Sequence, residues 1–356
     1  MKKLITFIIF FLLIVLGIVY FTYGKEFLTI LDEKKVYNVE NVKITTLDTL
    51  EESVFFHEGI LTYNNQKIVY LDNNNRLVWE NIDTEFSKQV IALDNYIFRN
   101  NKNKIQVIDK NNQEFIIAEI QGEIINVSRE NDKTYLIIRN NSGKNALYIL
   151  DQNNDLIVDN KVFEDNIIGV SISDKSEGYS LTTMKFNGKE IINNLYFNLL
   201  DDVELWNTEI TGEILVKTKI VNNNILAIGT KNLYYYNTNG KLMWKNGIYN
   251  KILDIEISKE NQILYMLFNK DGNTEIIAYN FEGKVVQINN APSGAEKLKV
   301  YQDRIFVYNG NNIYLMHGSK LDKIYEDLEN NISDFTVNGN DIRILSNEKL
   351  ILGQIK

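Results

Sequence analysis

Short apolar runs of about five residues recur along this chain, separated by polar clusters of Asn, Asp and Gly. Runs at 67–71, 104–108, 146–150, 233–236 and 275–279 are rich in β-branched and aromatic residues, and each follows a second run of the same kind, at 60–63, 96–98, 134–138, 224–228 and 262–268. Runs this short, with this composition and bounded by turn formers, predict strands in antiparallel hairpins, not helices. A third run lies further upstream, as at 251–257 and 123–127.

The runs repeat. An Asp or Asn ending one run is followed by a polar turn and another strand, and copies begin at Asp72, Asp109, Asp151, Asn198, Asn237 and Asn280, with a weaker one at His317. The period is about 42 residues, which with four strands per unit predicts a β-propeller. Blades fall near 45–82, 86–121, 123–162, 166–210, 213–248, 251–290 and 296–327, and the tail supplies three more strands. The unassigned strand at 36–44 is expected to complete that last blade and close the ring, removing open sheet edges. The fold class is therefore all-β, an eight-bladed propeller over 36–356, with seven blades as the alternative count.

All three Trp of the chain occupy one slot of the repeat, in the strand after the turn: Trp79 in 72–79, Trp206 in 198–206 and Trp244 in 237–244. The stretch Asn237-Thr-Asn-Gly-Lys-Leu-Met-Trp244 resembles the PQQ-like propeller repeat, whose blades end in an Asp…Thr-Gly-Lys…Trp strand. The resemblance covers about 36–356, is good at 237–244, fair at 72–79 and degenerate elsewhere, with Gln287 in the Trp slot of the copy at Asn280. It implies that Trp79, Trp206 and Trp244 pack between blades. It also raises a quinoprotein dehydrogenase, but such enzymes often carry a vicinal Cys pair, an acidic calcium site and more regular Trp repeats. This chain has no Cys and three Trp, so no cofactor is expected.

Leu4–Tyr23 is an uncharged stretch of mostly Ile, Leu, Phe and Val, preceded by Lys2 and Lys3. Its length matches one hydrocarbon core, and the bulky residues after it do not form a small-x-small cleavage site. The expectation is a cytoplasmic N-terminus at 1–3, an uncleaved signal-anchor at 4–23, a stalk at 24–35 and an extracytoplasmic propeller, single-pass in the plasma membrane. Twelve stalk residues span about 18 Å as helix and at most about 43 Å extended.

Candidate chemistry is sparse. The net charge of −9 leaves no footprint for nucleic acid, and the absence of Cys excludes thiol catalysis, disulfides and thiolate metal sites. The two His, His57 and His317, are read as surface or turn residues, and no zinc spacing exists. Asp151-x-Asn-x-Asp155 resembles the start of a calcium loop but has Leu156 and Val162 where Gly and Glu are needed; it is read as a hairpin turn. No catalytic motif is found, and no catalytic or metal residue is assigned. The loop holding the only Pro, Pro292 with Ser293, is the candidate partner contact.

The chain resembles single-span PQQ-like propeller proteins of low-GC Gram-positive bacteria. More distantly it resembles the lipid-anchored propellers that scaffold outer-membrane protein assembly, whose lipidated Cys it lacks. The resulting expectation is a non-catalytic binding or scaffold module for an envelope or membrane protein. The alternative is an envelope enzyme acting on glycans through carboxylates in the propeller channel.

Overall fold

The computed structural model describes residues 36–356 apart from 48–49, 65, 83–89, 102–103, 174–177, 303, 319 and 348. The expected N-terminal segment, anchor and stalk lie outside these residues. Among the described residues no helix is long and apolar enough to cross a membrane.

Eight antiparallel sheets of four strands each form the ring. Blades one to seven occupy 52–82, 90–121, 123–163, 166–211, 215–247, 251–290 and 297–326. The eighth pairs three C-terminal strands, Ile332–Asn338, Asp341–Ser346 and Lys349–Ile355, with the N-terminal strand Val39–Thr46 as its outermost member. That strand begins a little later than the expected 36–44. Backbone bonds between Asn38 and Lys356, 3.0 and 2.9 Å, extend the pairing beyond the strand ends.

The strand patterns follow from position. Middle strands have neighbours on both faces and are mostly apolar and buried, as in Asn145–Leu150, where every residue is buried. Outer strands alternate, as in Leu242–Gly247, where only every second side chain is partly covered. Among the described residues the buried apolar side chains are divided between blades, with no central core. Eight apolar clusters lie between adjacent blades, one per interface. The smallest buried set joins the eighth blade to the first, through Leu47, Ile60, Leu345 and Leu350. There Arg343 adds a bond from Nη2 to the Gly59 carbonyl, 3.0 Å, and stacks over Phe55 at 4.9 Å.

The repeat anchors have a common mechanism. Asp72, Asp109, Asp151, Asn237 and Asn280 each accept, at Oδ1, the amides two and four residues ahead. The residue three ahead takes positive φ, which Asn and Gly tolerate: Asn75, Asn112, Asn154, Gly240 and Gly283. The Asp151 triad is one of these turns. In the fourth blade the turn runs 199–203 and closes through Leu199 and Val203 backbones, with Asp202 at φ 69°. The anchor there is Leu199, one residue after the expected Asn198, which is instead fully buried in the strand.

Candidate interaction face

The turns after the third strands share one face of the ring with the turns between first and second strands. Blade-to-blade loops and the turns between second and third strands share the opposite face. The Trp residues belong to the first face. Each is half-buried on an outer strand, opposite an aromatic of its own blade, and donates its indole N–H to a carbonyl in the next blade's turn. The acceptors are Lys110 for Trp79, Thr238 for Trp206 and Phe281 for Trp244, each at 2.9 Å. Gln287 makes the same connection through Nε2 to the Gly318 carbonyl. A polar donor, not an indole as such, is what the slot requires.

His317 is not a surface residue. It is 7% exposed, pairs through Nε2 with Asp322 Oδ2 at 2.7 Å and meets the Tyr37 ring edge-on at 5.0 Å. Lys320 also binds Asp322, at 3.0 Å. Burial pushes the Asp322 carboxyl up, but bonds from His317, Lys320 and the Tyr37 amide hold it below the usual range. The pair thus fixes the segment leading into the closing strand. His57 sits in a turn, exposed, with φ 48°.

Carboxylates along the inner strands are compensated. Glu130, 8% exposed, accepts Ser171 Oγ and the Ile172 amide from the fourth blade. It also pairs with Lys219 at 3.0 Å and Lys259 at 3.5 Å, from the fifth and sixth blades. Asp254 accepts the amides of Ile255 and Leu298. Asp334 takes Lys299 and the Phe335 amide. Glu256 differs: burial pushes its carboxyl up, with Lys217 opposing and Asp254 reinforcing. A glycan-cleaving pair needs two uncommitted carboxyl groups facing one space, and the described neighbours of Glu256 are committed. Among the described residues no cluster of three or more His, Asp or Glu gathers to hold a metal.

The opposite face carries the exposed apolar and aromatic side chains of the blade-to-blade loops: Ile214, Tyr249 and Leu328, at 36%, 96% and 83% exposure. Three of its elements around the fifth blade are bonded into one unit. Glu213, fully buried, accepts the Lys231 and Asn232 amides, Asn232 Nδ2 and the Tyr234 hydroxyl. Burial raises its carboxyl, but these bonds, led by Tyr234, win and hold it below the ordinary value. Asn193 donates to the Glu213 carbonyl at 2.7 Å. Thr230 N bonds the Ile214 carbonyl at 2.9 Å, and Ile248 N bonds the Lys231 carbonyl at 2.6 Å. Loop 211–215, turn 229–232 and loop 248–250 are therefore held rigid, and Tyr249 projects from them. Sequence reading missed Glu213 and Tyr249; an aromatic between two predicted strands at 248–250 was the available signal.

Pro292 and Ser293 lie on this same face. Pro292 is half-buried and Ser293 exposed. The loop folds back through Ala295 N to the Pro292 carbonyl at 3.1 Å, and Asn309 Nδ2 ties the Ser293 carbonyl at 3.2 Å.

A family model described as "Family of unknown function (DUF5711)" matches residues 32–351. No curated protein matches. Among solved structures, BamB from Moraxella catarrhalis is similar at 12% identity and a TM-score of 0.53, over 89% of this chain and 99% of that one. The WD40 domain of Neurospora crassa Pan2 is similar at 8% identity and TM-score 0.43, over 86% and 89% of the two chains. KlHsv2 with loop 6CD replaced by a Gly-Ser linker follows at 10% and 0.46, over 83% and 97%. At these identities the BamB likeness establishes the propeller fold alone.

Proposed function

The chain belongs to the DUF5711 family of unknown function, and from that premise we propose that it is a non-catalytic docking propeller, tethered to the plasma membrane by 4–23 with its ring outside the cell. The observation that carries this reading is the bonded unit of loop 211–215, turn 229–232 and loop 248–250, from which Tyr249 projects at 96% exposure. A rigid exposed aromatic is the residue type that anchors protein interfaces at low ordering cost. The committed state of Glu130, Asp254 and Asp334 supports the same reading, because among the described residues it leaves Glu256 without a free carboxyl group to pair with. The partner is an envelope or membrane protein.

A photocrosslinking amino acid at Tyr249 tests this in living cells, with one at the exposed Asp201, on the opposite face, as control. A defined envelope-protein adduct from position 249 and none from 201 is the expected result. Equal adducts from both faces, or none from 249 together with glycan turnover that Glu256→Gln abolishes, would replace docking by the enzyme reading.

A further inference from the structure

Between the fifth and sixth blades, on the Tyr249 face, lies a cavity of about 480 Å³. Val216, Ile252 and Leu253 give it an apolar wall, and Lys217 and Lys251 stand in its lining. Val216 is 43% exposed, so the wall is reachable from outside. Lys231 projects from the adjoining turn and caps the Gly212 carbonyl at 2.6 Å. Lys217 bonds the Ile255 carbonyl at 2.7 Å. Among the described residues none of these three lysines is ion-paired with a carboxylate. The one carboxylate in the lining, Asp254, faces the amides of Ile255 and Leu298. A chain with 47 acids and 38 bases thus presents a positively charged rim around an apolar hole.

We propose, resting on the docking reading above, that this cavity receives an acidic, extended segment of the partner protein. One aliphatic or aromatic side chain of that segment inserts against Val216, Ile252 and Leu253, and Asp or Glu on either side lie on Lys217, Lys231 and Lys251. Complementarity of charge supplies the choice of partner segment: a basic segment would face three lysines that form no ion pair, of which Lys217 feels a nearby carboxyl group, Glu256, and like-charge juxtaposition is strongly disfavoured at interfaces. The cavity volume falls within the range that takes a small ligand, about 300–1,000 Å³. Its position beside Ile214 and Tyr249 continues the apolar surface outward, as a macromolecular partner requires.

The test uses the full-length chain in detergent micelles and an array of nine-residue peptides. Each peptide has a central Leu, Phe or Ser flanked by Asp and Glu, by Ser, or by Lys. Acidic peptides with central Leu or Phe should bind at least about tenfold better than the Lys-flanked or Ser-centred sets, and binding should weaken with added salt. Lys251→Glu and Val216→Glu should each lose that preference. Both positions are solvent-exposed enough that folding, followed by the melting curve, is retained; Lys189→Glu, on the same face of the fourth blade, should bind like the parent. Indifference of the array to flanking charge, or unchanged binding by Lys251→Glu, would overturn the proposal. If that happens while Tyr249 still forms its envelope-protein adduct, the acidic-segment chemistry fails and the docking reading stands. A silent array together with no adduct from Tyr249 would remove both.

Discussion

The indole nitrogen of Trp244 lies 2.9 Å from the carbonyl oxygen of Phe281, across the gap between the fifth and sixth blades. Two residues further along the same turn, a Cβ on Gly283 would come within 2.9 Å of Trp244 Cδ2. The glycine at φ 82° therefore does two things: it allows the turn and it leaves room for the ring. Trp206 and Gly240 repeat the relationship.

Trp244→Ala should destabilise by about 2 kcal/mol, below the 3–5 typical of a fully buried aromatic because the ring is half-covered. Gly283→Ala should cost about 1–3 kcal/mol from positive φ and the clash with the ring. In the double variant the clash with the ring disappears, leaving only the close approach of Asn246 Nδ2 at 2.8 Å, so its cost should be less than the sum of the two separate values. Denaturant titration of the four proteins checks this; strict additivity would mean the ring and the glycine are independent.

A chain beginning at residue 47 lacks the strand that pairs with Lys349–Ile355 and should melt several degrees below one beginning at 36 and aggregate more readily, since it exposes a sheet edge. A synthetic peptide of residues 36–46 should restore part of the loss. Gly353→Val should mimic the truncation in the intact chain, because even a Cβ there meets Val39 Cγ1 at 2.4 Å. Matching melting curves for the two lengths would refute closure by this strand.

Arg343→Met keeps the aliphatic packing at the interface between the eighth and first blades but removes the bond to Gly59 and the stack over Phe55. The expected loss is about 1–2 kcal/mol. Because this interface has the smallest buried set, limited proteolysis should cut first near it; cleavage spread evenly around the ring would contradict this.

Glu213 makes stability depend on acid. Its folded carboxyl titrates below the ordinary value of 4.5. Its contribution is therefore complete above about pH 4.5 and is lost as pH falls through the lower folded value. Glu213→Gln should melt lower than the parent at pH 7 and show a shallower fall in melting temperature between pH 5 and pH 3. An identical acid slope in both proteins would show that the carboxylate bonds do not matter.

The ring was legible because its repeat is chemical. In five blades an Asp or Asn side chain closes the turn and a Gly or Asn follows three residues on, as Asn237 and Gly240 do. Where the turn closes through backbone alone, as at Leu199, the signal slips by one residue and the neighbouring Asn198 takes its place. His317 looked like a strand end facing water because its partners Asp322 and Tyr37 come from the next strand and from the far end of the chain. The Tyr249 face was least legible. Its rigidity comes from bonds among three separate loops, Asn193 to Glu213 to Lys231 to Ile248, and no local pattern announces a bond between loops. Pro292 was found on composition, whereas Tyr249, the more exposed residue, carries no such mark.

Val39–Thr46 is made before the seven complete blades, and its partner Lys349–Ile355 after them. Seven blades can stack as they emerge, but the ring stays an open arc until Lys349–Ile355 leaves the exit tunnel. During that interval both ends of the arc present unpaired backbone to the surroundings. Lys43 on the early strand, whose Nζ reaches Asn74 Oδ1 at 2.8 Å in the finished ring, places a charge on an edge of the kind that discourages pairing with strangers. Synthesis time, more than strand pairing itself, then sets how long an unfinished molecule is at risk, and any nascent chain truncated before residue 349 has no route to a closed form.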